Sequence, residues 1–106
     1  MIYAYIEAAP GNGLYIFKSW QAMRAAIKEE IQDGKPVKVR AAANTEITRT
    51  DYTGNKLQAR NALIDLQRVA CTGDLSYSEL GTIYNAAERI ARRYGLLREA
   101  RENAIC

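Results

Sequence analysis

The chain has 106 residues, of which 48% are hydrophobic and 25% are charged, and its 15 Lys and Arg against 12 Asp and Glu leave a net charge of +3. This balance is typical of a globular protein, and the length predicts a single domain over residues 1–106. The sequence contains no histidine, which excludes Ser–His and Cys–His nucleophile pairs, imidazole acid–base chemistry and His-ligated zinc.

Two short β-prone segments open the chain, at residues 2–8 and 14–17. The turn-forming run from Pro10 to Gly13 separates them, which predicts a β-hairpin. Alternation along the first strand puts Tyr3 and Tyr5 on one face, and we expect Tyr15 across the hairpin from them. An exposed tyrosine row could stack bases or anchor a protein partner, so Tyr3 and Tyr5 are candidate protein contacts. The alternative is that helices pack on this face and the tyrosines belong to the core.

The next segment has the pattern of an amphipathic helix. Ser19 is a suitable N-cap, and Gly34 followed by Pro36 marks the end. Apolar residues recur between them at spacings of three and four: Trp20, Met23, Ile27 and Ile31.

The stretch from residue 37 to residue 54 is predicted to add strands to the sheet. Val37 and Val39 alternate with Lys38 and Arg40, which indicates a half-buried strand with a basic outer face. The β-branched run 45–50 predicts a further strand, which could form a second hairpin with the first. Residues 51–54 are typical of a turn.

Helical patterns fill the rest of the chain. One helix is predicted from about Asn55 to Ala70, a second after the capping box of Ser76 and Glu79 as far as Gly95, and a short third from Leu96 to about residue 104. The predicted fold class is therefore α+β. A small antiparallel sheet packs with about four helices in the order ββαββααα.

Two apolar residues depart from the pattern of the first of these helices. Leu57 and Ile64 fall on its polar side, seven residues apart. Exposed apolar side chains of this kind often mark a contact surface, so both are candidate protein contacts. The alternative is that the last helix covers them.

Basic residues concentrate in the middle of the chain and near its C-terminal end. Such residues could contact nucleic acid or an acidic partner, because Lys and Arg bind phosphates and carboxylates. Acidic residues are interleaved with them, so a solvated, self-compensated surface is the alternative. The candidate contacts are Lys38, Arg40, Arg49, Lys56, Arg60, Arg68, Arg89, Arg92, Arg93, Arg98 and Arg101.

The segment from Ile90 to Leu96 resembles the first helix and turn of a helix-turn-helix motif. The resemblance then fails, because Arg101 stands where the second helix should send an apolar residue inward, and the helix is short for a reader of the major groove. A helical hairpin with a glycine cap at Gly95 is the alternative.

Cys71 and Cys106 are the two cysteines of the chain. The chain shows no basic-then-apolar leader and no apolar run near 18 residues, so we expect a cytoplasmic protein with no membrane segment and with reduced thiols. A disulfide between the two cysteines is the alternative. We expect neither a metal site nor a cofactor.

These features together predict a non-enzymatic accessory protein that binds a macromolecule, with a protein partner and possible contact with nucleic acid. Its sharpest form is an inhibitor or regulator that blocks a surface of a nucleic-acid-associated machine, as anti-CRISPR-type proteins of mobile elements do. One alternative is a DNA-binding transcriptional regulator that acts as a homodimer through the last two helices. Another is a small ribonuclease toxin that works without histidine.

Overall fold

A computed structural model describes residues 1–8, 12–72 and 75–102. In chain order these form β1 (Ile2–Ala8), β2 (Gly13–Phe17), α1 (Trp20–Gln32), β3 (Val37–Asn44), α2 (Tyr52–Thr72), α3 (Tyr77–Arg93) and α4 (Leu97–Glu102). The order ββαβααα confirms the α+β class. The predicted turn residues 10–11 and the predicted helix end at residue 104 lie outside the described residues.

The sheet has three antiparallel strands in the order β2-β1-β3, so the first strand of the chain lies in the centre. Ile2 lies opposite Phe17 on β2 and opposite Asn44 on β3. The register with β3 shifts between Tyr5 and Ile6, which leaves Arg40 as the extra residue of a β-bulge.

The predicted strand over residues 45–50 is wrong. Residues 45–49 have no regular secondary structure, because a side chain of α2 takes the hydrogen bonds that a strand partner would supply. The Oε1 atom of Gln58 accepts from the backbone N–H groups of Thr48, at 3.0 Å, and Arg49, at 3.1 Å, and its Nε2 donates to Thr48 Oγ1. The segment therefore runs along the helix, and the proposed second hairpin does not form.

Helix α2 begins three residues before its predicted start. The Asp51 carboxylate accepts from Gly54 N–H at 2.7 Å, and the Asp51 carbonyl accepts from Asn55 N–H at 2.9 Å. These are the hydrogen bonds of a helix N-cap, so the predicted turn 51–54 is instead the cap and first turn of α2. The misassignment has a physical reason, since Asp and Gly favour both turns and helix starts.

The other helix ends lie where the sequence places them. Ser19 Oγ accepts from Ala22 N–H at the start of α1, and both hydrogen bonds of the predicted Ser76–Glu79 capping box are present. Gly34 and Gly95 have positive φ angles, of 78° and 70°, and each follows a helix. This backbone conformation costs glycine little, which explains where α1 and α3 end.

Helices cover both faces of the sheet. One face of β1 carries Tyr3 and Tyr5, which pack with Ala43 of β3 and with the buried sides of α2 and α3. The other face carries a smaller core of Ile2, Ala4, Ile6 and Met23, the last contributed by α1. The molecule is therefore a three-layer arrangement of α1, the sheet and the α2–α3 pair.

Of the two alternatives for Tyr3 and Tyr5, an exposed row or a place in the core, the structure supports the core, so they are not the protein contacts that an exposed row would provide. Their side chains are only 6% and 5% exposed, because α2 and α3 pack on their face of the sheet. Tyr15 lies opposite Ala4 and therefore on the other face of the sheet. Strand alternation shows which residues share a face, but it does not show which faces are covered.

Candidate functional site

Five of the eleven predicted cationic contacts are paired with carboxylates of the same chain. The pairs form within α2 and α3, across the β1–β3 ladder, at the cap of α2 and between α2 and α4. They are Arg40–Glu7 at 2.7 Å, Arg49–Asp51 at 3.8 Å, Arg60–Glu99 at 2.8 Å, Arg68–Asp65 at 3.7 Å and Arg92–Glu88 at 2.7 Å. The basic surface expected from the sequence is therefore partly self-compensated.

The Arg60–Glu99 pair holds α4 against α2. The guanidinium donates from Nε to one carboxylate oxygen at 2.8 Å and from Nη2 to the other at 3.0 Å. These hydrogen bonds lower the pKa of Glu99 and raise the pKa of Arg60. Lys56 lies close enough to lower the pKa of Glu99 further. Arg60 therefore serves the packing of α4, and its fork is not free for a phosphate.

Two arginines of α3 differ from this pattern. Arg89 and Arg93 are exposed and form no salt bridge with any residue that the structure describes. They lie one turn apart on α3, whereas Arg92 between them points elsewhere and binds Glu88. The sequence presented these arginines as one set, and the structure separates them into a paired and an unpaired group.

Arg89 and Arg93 lie beside a shallow open pocket of about 190 Å³. The end of α3 forms one side of the pocket, and the start of β1 with the residue after β3 forms the other. The lining residues are Met1, Tyr3, Thr45, Ala86, Arg89, Ile90, Arg93 and Tyr94. We call this the arginine pocket. Sequence reasoning missed it because residues 1–3, 45 and 86–94 meet only in the folded chain.

The remaining predicted cations are distributed over the surface. Lys38 lies exposed on β3, Lys56 is half-buried on α2, and Arg98 is exposed on α4, where it makes a further interaction. The side chain of Arg101 lies outside the part of the chain that the structure describes. None of these residues lines the arginine pocket.

Helices α3 and α4 pack as a hairpin around Gly95. Leu96 is fully buried, and its N–H donates to the Ala91 carbonyl at 2.8 Å, which closes the end of α3. The six described residues of α4 span only about 9 Å. Because Glu99 is held by Arg60, this helix is fixed against α2, as the helical-hairpin alternative requires.

Leu57 and Ile64 lie on the outer face of α2, away from the residues that it buries. Their side chains are 55% and 48% exposed. Helix α4 meets α2 at Arg60, beside this face and not over it. The alternative in which the last helix covers them is therefore wrong, and we call Leu57, Asn61 and Ile64 the outer face of α2.

Cys71 is disulfide-bonded, which contradicts the expectation of a reduced thiol at this position. The other cysteine in the sequence, Cys106, lies outside the described residues. Over the described ranges, no three His, Cys, Asp or Glu side chains cluster as a metal ion would require. The helices in those ranges also lack the length and apolar character needed to cross a membrane.

Comparison of the chain with protein-family models, with curated proteins and with solved structures finds no match. What this protein does is therefore inferred from its own side chains.

Proposed function

We propose that this chain is a non-catalytic accessory protein that docks on a larger protein through the outer face of α2. The observation that carries the proposal is the exposure of Leu57 and Ile64 on this face. Residues seven apart lie on one side of a helix, and a helix that binds in a groove uses anchors at this spacing. Burial of the exposed half of each side chain would contribute about 1 kcal/mol.

Charge around these anchors indicates the chemistry of the partner. Helix α2 carries Lys56, Arg60 and Arg68. Because Glu99 pairs with Arg60 and Asp65 with Arg68, Lys56 is the cation of this helix that has no salt bridge among the described residues. A complementary partner would therefore present an apolar groove with an acidic rim. Two anchors alone do not hold a stable complex, since a standard interface buries about 800 Å² on each side. Leu57 and Ile64 are proposed as its centre.

The sharper form of the proposal is an inhibitor that occupies a surface of a nucleic-acid-associated machine in the cytoplasm, as anti-CRISPR-type proteins do. The DNA-binding regulator has less support, since α4 is short and tied to α2. The ribonuclease toxin has less support, since Arg40, Arg60 and Arg92 are held by carboxylates.

Site-specific crosslinking tests the proposal. A photo-crosslinking amino acid at Asn61, an exposed position between the two anchors, is introduced into the wild-type chain and into a Leu57→Glu, Ile64→Glu variant. The matched control is Ile31→Glu on α1, because Ile31 is 57% exposed and lies on the other side of the sheet. Crosslinked proteins from cells of the source organism are identified by mass spectrometry.

We expect one protein to crosslink in the wild type and in the control, and to be lost in the double variant. Activity of that protein on nucleic acid should fall when the wild-type chain is added and should recover with the double variant. A crosslink only to a second copy of this chain, or equal crosslinking in the double variant, contradicts the proposal.

The disulfide at Cys71 bears on the proposed location. Structural disulfides persist mainly in oxidising compartments. The proposed cytoplasmic location therefore requires that this disulfide be reduced in the cell. Alkylation under denaturing conditions, followed by mass spectrometry of the intact chain, measures its state, and a disulfide-bonded chain in freshly lysed cells contradicts the proposed location.

A further inference from the structure

We propose that the arginine pocket is a binding site for a phosphate group. It shares no residue with α2, so this inference is independent of the docking surface proposed above. Its basis is the combination of two unpaired arginines, a concave surface and a lining without a carboxylate among the described residues.

Arg89 and Arg93 concentrate positive charge beside the pocket. Arg89 and Arg93 lie four residues apart on α3, a spacing at which like charges repel. A bound anion between them would remove this repulsion and accept hydrogen bonds from two guanidinium forks. The contrast with Arg92 is informative, because that neighbour already has its own carboxylate at 2.7 Å.

The Tyr94 ring restrains the orientation of the Arg93 side chain. Its guanidinium carbon lies 5.6 Å from the centre of the Tyr94 ring, within the range of a cation–π interaction. This contact restrains the planar guanidinium beside the pocket without using its hydrogen bonds to an acid. Arg93 is thereby held in place for a ligand while its donors stay available.

The volume of the arginine pocket limits the size of its ligand. About 190 Å³ is below the 300–1,000 Å³ of a typical small-molecule site, so the pocket accommodates a group of few atoms and not a whole cofactor. A phosphate with its adjoining sugar or ester carbon fits that description. Tyr3 and Ile90, both buried, give the pocket an apolar base against which such a carbon can pack.

One effect opposes the anion. The pocket lies at the C-terminal end of α3, where the helix dipole is negative and favours cations. The dipole offsets about half of the charge of one arginine, so both arginines are needed for a strongly positive site. Loss of either one should therefore weaken phosphate binding by about tenfold or more.

The test is a titration followed by amide chemical shifts of the full chain. The probes are inorganic phosphate and a short single-stranded oligothymidylate with and without a 5′-phosphate. The variants are Arg89→Gln and Arg93→Gln, and the matched control is Arg92→Gln, which removes the same charge from the same turn of α3 but outside the pocket. Arg89→Lys keeps the charge, and circular dichroism checks that each variant is folded.

We expect saturable chemical-shift changes of the amides of Thr45, Arg89 and Ile90 in the wild type. The affinity obtained from them should fall about tenfold in Arg89→Gln and in Arg93→Gln. It should be unchanged in Arg92→Gln and only partly reduced in Arg89→Lys. Which probe binds best identifies the source as free phosphate, a strand end or a strand backbone. With one or two contacts on a strand, the slope of log affinity against log salt should lie between about −0.7 and −1.4.

Three results would overturn the proposal. These are no saturable shift at the pocket with any probe, an equal loss in Arg92→Gln, and unchanged binding in a folded Arg89→Gln variant. An equal loss in Arg92→Gln would assign the binding to the general positive charge of α3, and unchanged binding in Arg89→Gln would place it outside the pocket. Because the α2 face is unchanged in all these variants, failure here leaves the crosslinking result intact, and the reverse also holds.

Discussion

Gly54 occupies a position in the first turn of α2 where a larger residue would displace the Asp51 carboxylate. A Cβ atom added there would lie 2.7 Å and 2.9 Å from the two carboxylate oxygens of Asp51 and 2.8 Å from Nε of Arg49. The Asp51 carboxylate accepts the Gly54 N–H, and this hydrogen bond lowers its pKa. The glycine therefore makes room for the cap that starts the helix.

Gly54→Ala should leave the protein less stable than Gly81→Ala does, although alanine is ordinarily the better helix former at both positions. Displacement of the cap should lower the free energy of unfolding by about 0.5–2 kcal/mol, less the helix-propensity gain. Urea denaturation monitored by circular dichroism measures the change. Gly81→Ala in α3 is the matched control, since nothing lies within 4 Å of its added Cβ, and it should stabilise by about 0.5–1 kcal/mol. Equal effects of the two substitutions would contradict the steric argument.

Glu79 connects the start of α3 to the edge of the sheet. Its carboxylate accepts from Leu14 N–H on β2 at 2.7 Å and from Ser76 N–H at 3.1 Å. The hydrogen bond from Leu14, followed by that from Ser76, lowers the pKa of Glu79 below its ordinary value of 4.5. The capping box is visible in the sequence, whereas the contact with Leu14, 65 residues away, is not.

The stability contributed by Glu79 should depend on pH. A carboxyl with a lowered folded-state pKa stabilises the fold fully above its unfolded value and loses that contribution as pH falls through the folded value. Glu79→Gln should therefore lower the free energy of unfolding at neutral pH by about 1 kcal/mol, allowing for solvent exposure. The difference from wild type should shrink as pH falls below 4.5. Urea denaturation across this range checks it, and a difference that grows in acid would contradict the assignment.

At the scale of the elements, local signals predicted what local interactions determine. The structure confirms the predicted helix starts at Ser19 and Ser76 and the predicted helix ends near Gly34 and Gly95. These predictions succeed because each helix end depends on residues close to it in the chain. The run 45–50 was misassigned because β-branched content favours a strand only where a partner strand exists. Here Gln58 takes the partner's place, and no local pattern reveals that contact.

The role of Gln58 can be measured directly. Gln58→Ala removes the acceptor shared by the Thr48 and Arg49 amides, so both should exchange with solvent faster. Hydrogen exchange followed by NMR reports each amide separately. The β3 amides that pair with β1 serve as the internal control and should keep their protection. Unchanged exchange at Thr48 and Arg49 would indicate that another partner protects this segment.

For the candidate surfaces too, the sequence predicts what depends on local spacing and not what depends on contacts between distant residues. Helical periodicity placed Leu57 and Ile64 on the outer face of α2, and the structure has them there. The state of each arginine was not predictable, because Arg60 and Arg40 pair with residues 39 and 33 positions away. The arginine pocket needs three separate segments to meet, so it became visible only in the folded chain.

At the scale of the whole molecule, the chain exposes more surface than its mass requires. Its accessible surface is 7061 Å², against about 5,900 Å² for a typical monomer of 11.9 kDa. Its radius of gyration is 14.5 Å, against about 13 Å expected for this length. Both values show that the chain is less compact than a typical monomer of this mass.

The sheet should not fold without the helices that follow it. A fragment of residues 1–50 contains all three strands and α1, but it leaves the face of Tyr3, Tyr5 and Ala43 without its cover. A chain of about 50 residues that retains only one of its two core clusters buries too little surface to be more than marginally stable. We expect this fragment to show no cooperative thermal transition by circular dichroism, whereas the full chain does. A cooperative transition in the fragment would show that the α1 side alone stabilises the sheet.

The central position of β1 has a consequence for synthesis in the cell. Strand β1 precedes β2, β3 and the helices that cover it, so it is synthesised before all of its neighbours. The last of these neighbours, α3, ends at residue 93. At about 5–20 residues per second, the ribosome takes roughly 4–17 s to deliver it. During that time the apolar, β-prone segment Ile2–Ala8 lacks the strands and helices that bury it in the native fold. The soluble yield of this protein should therefore depend on translation speed and on chaperones that hold a nascent chain.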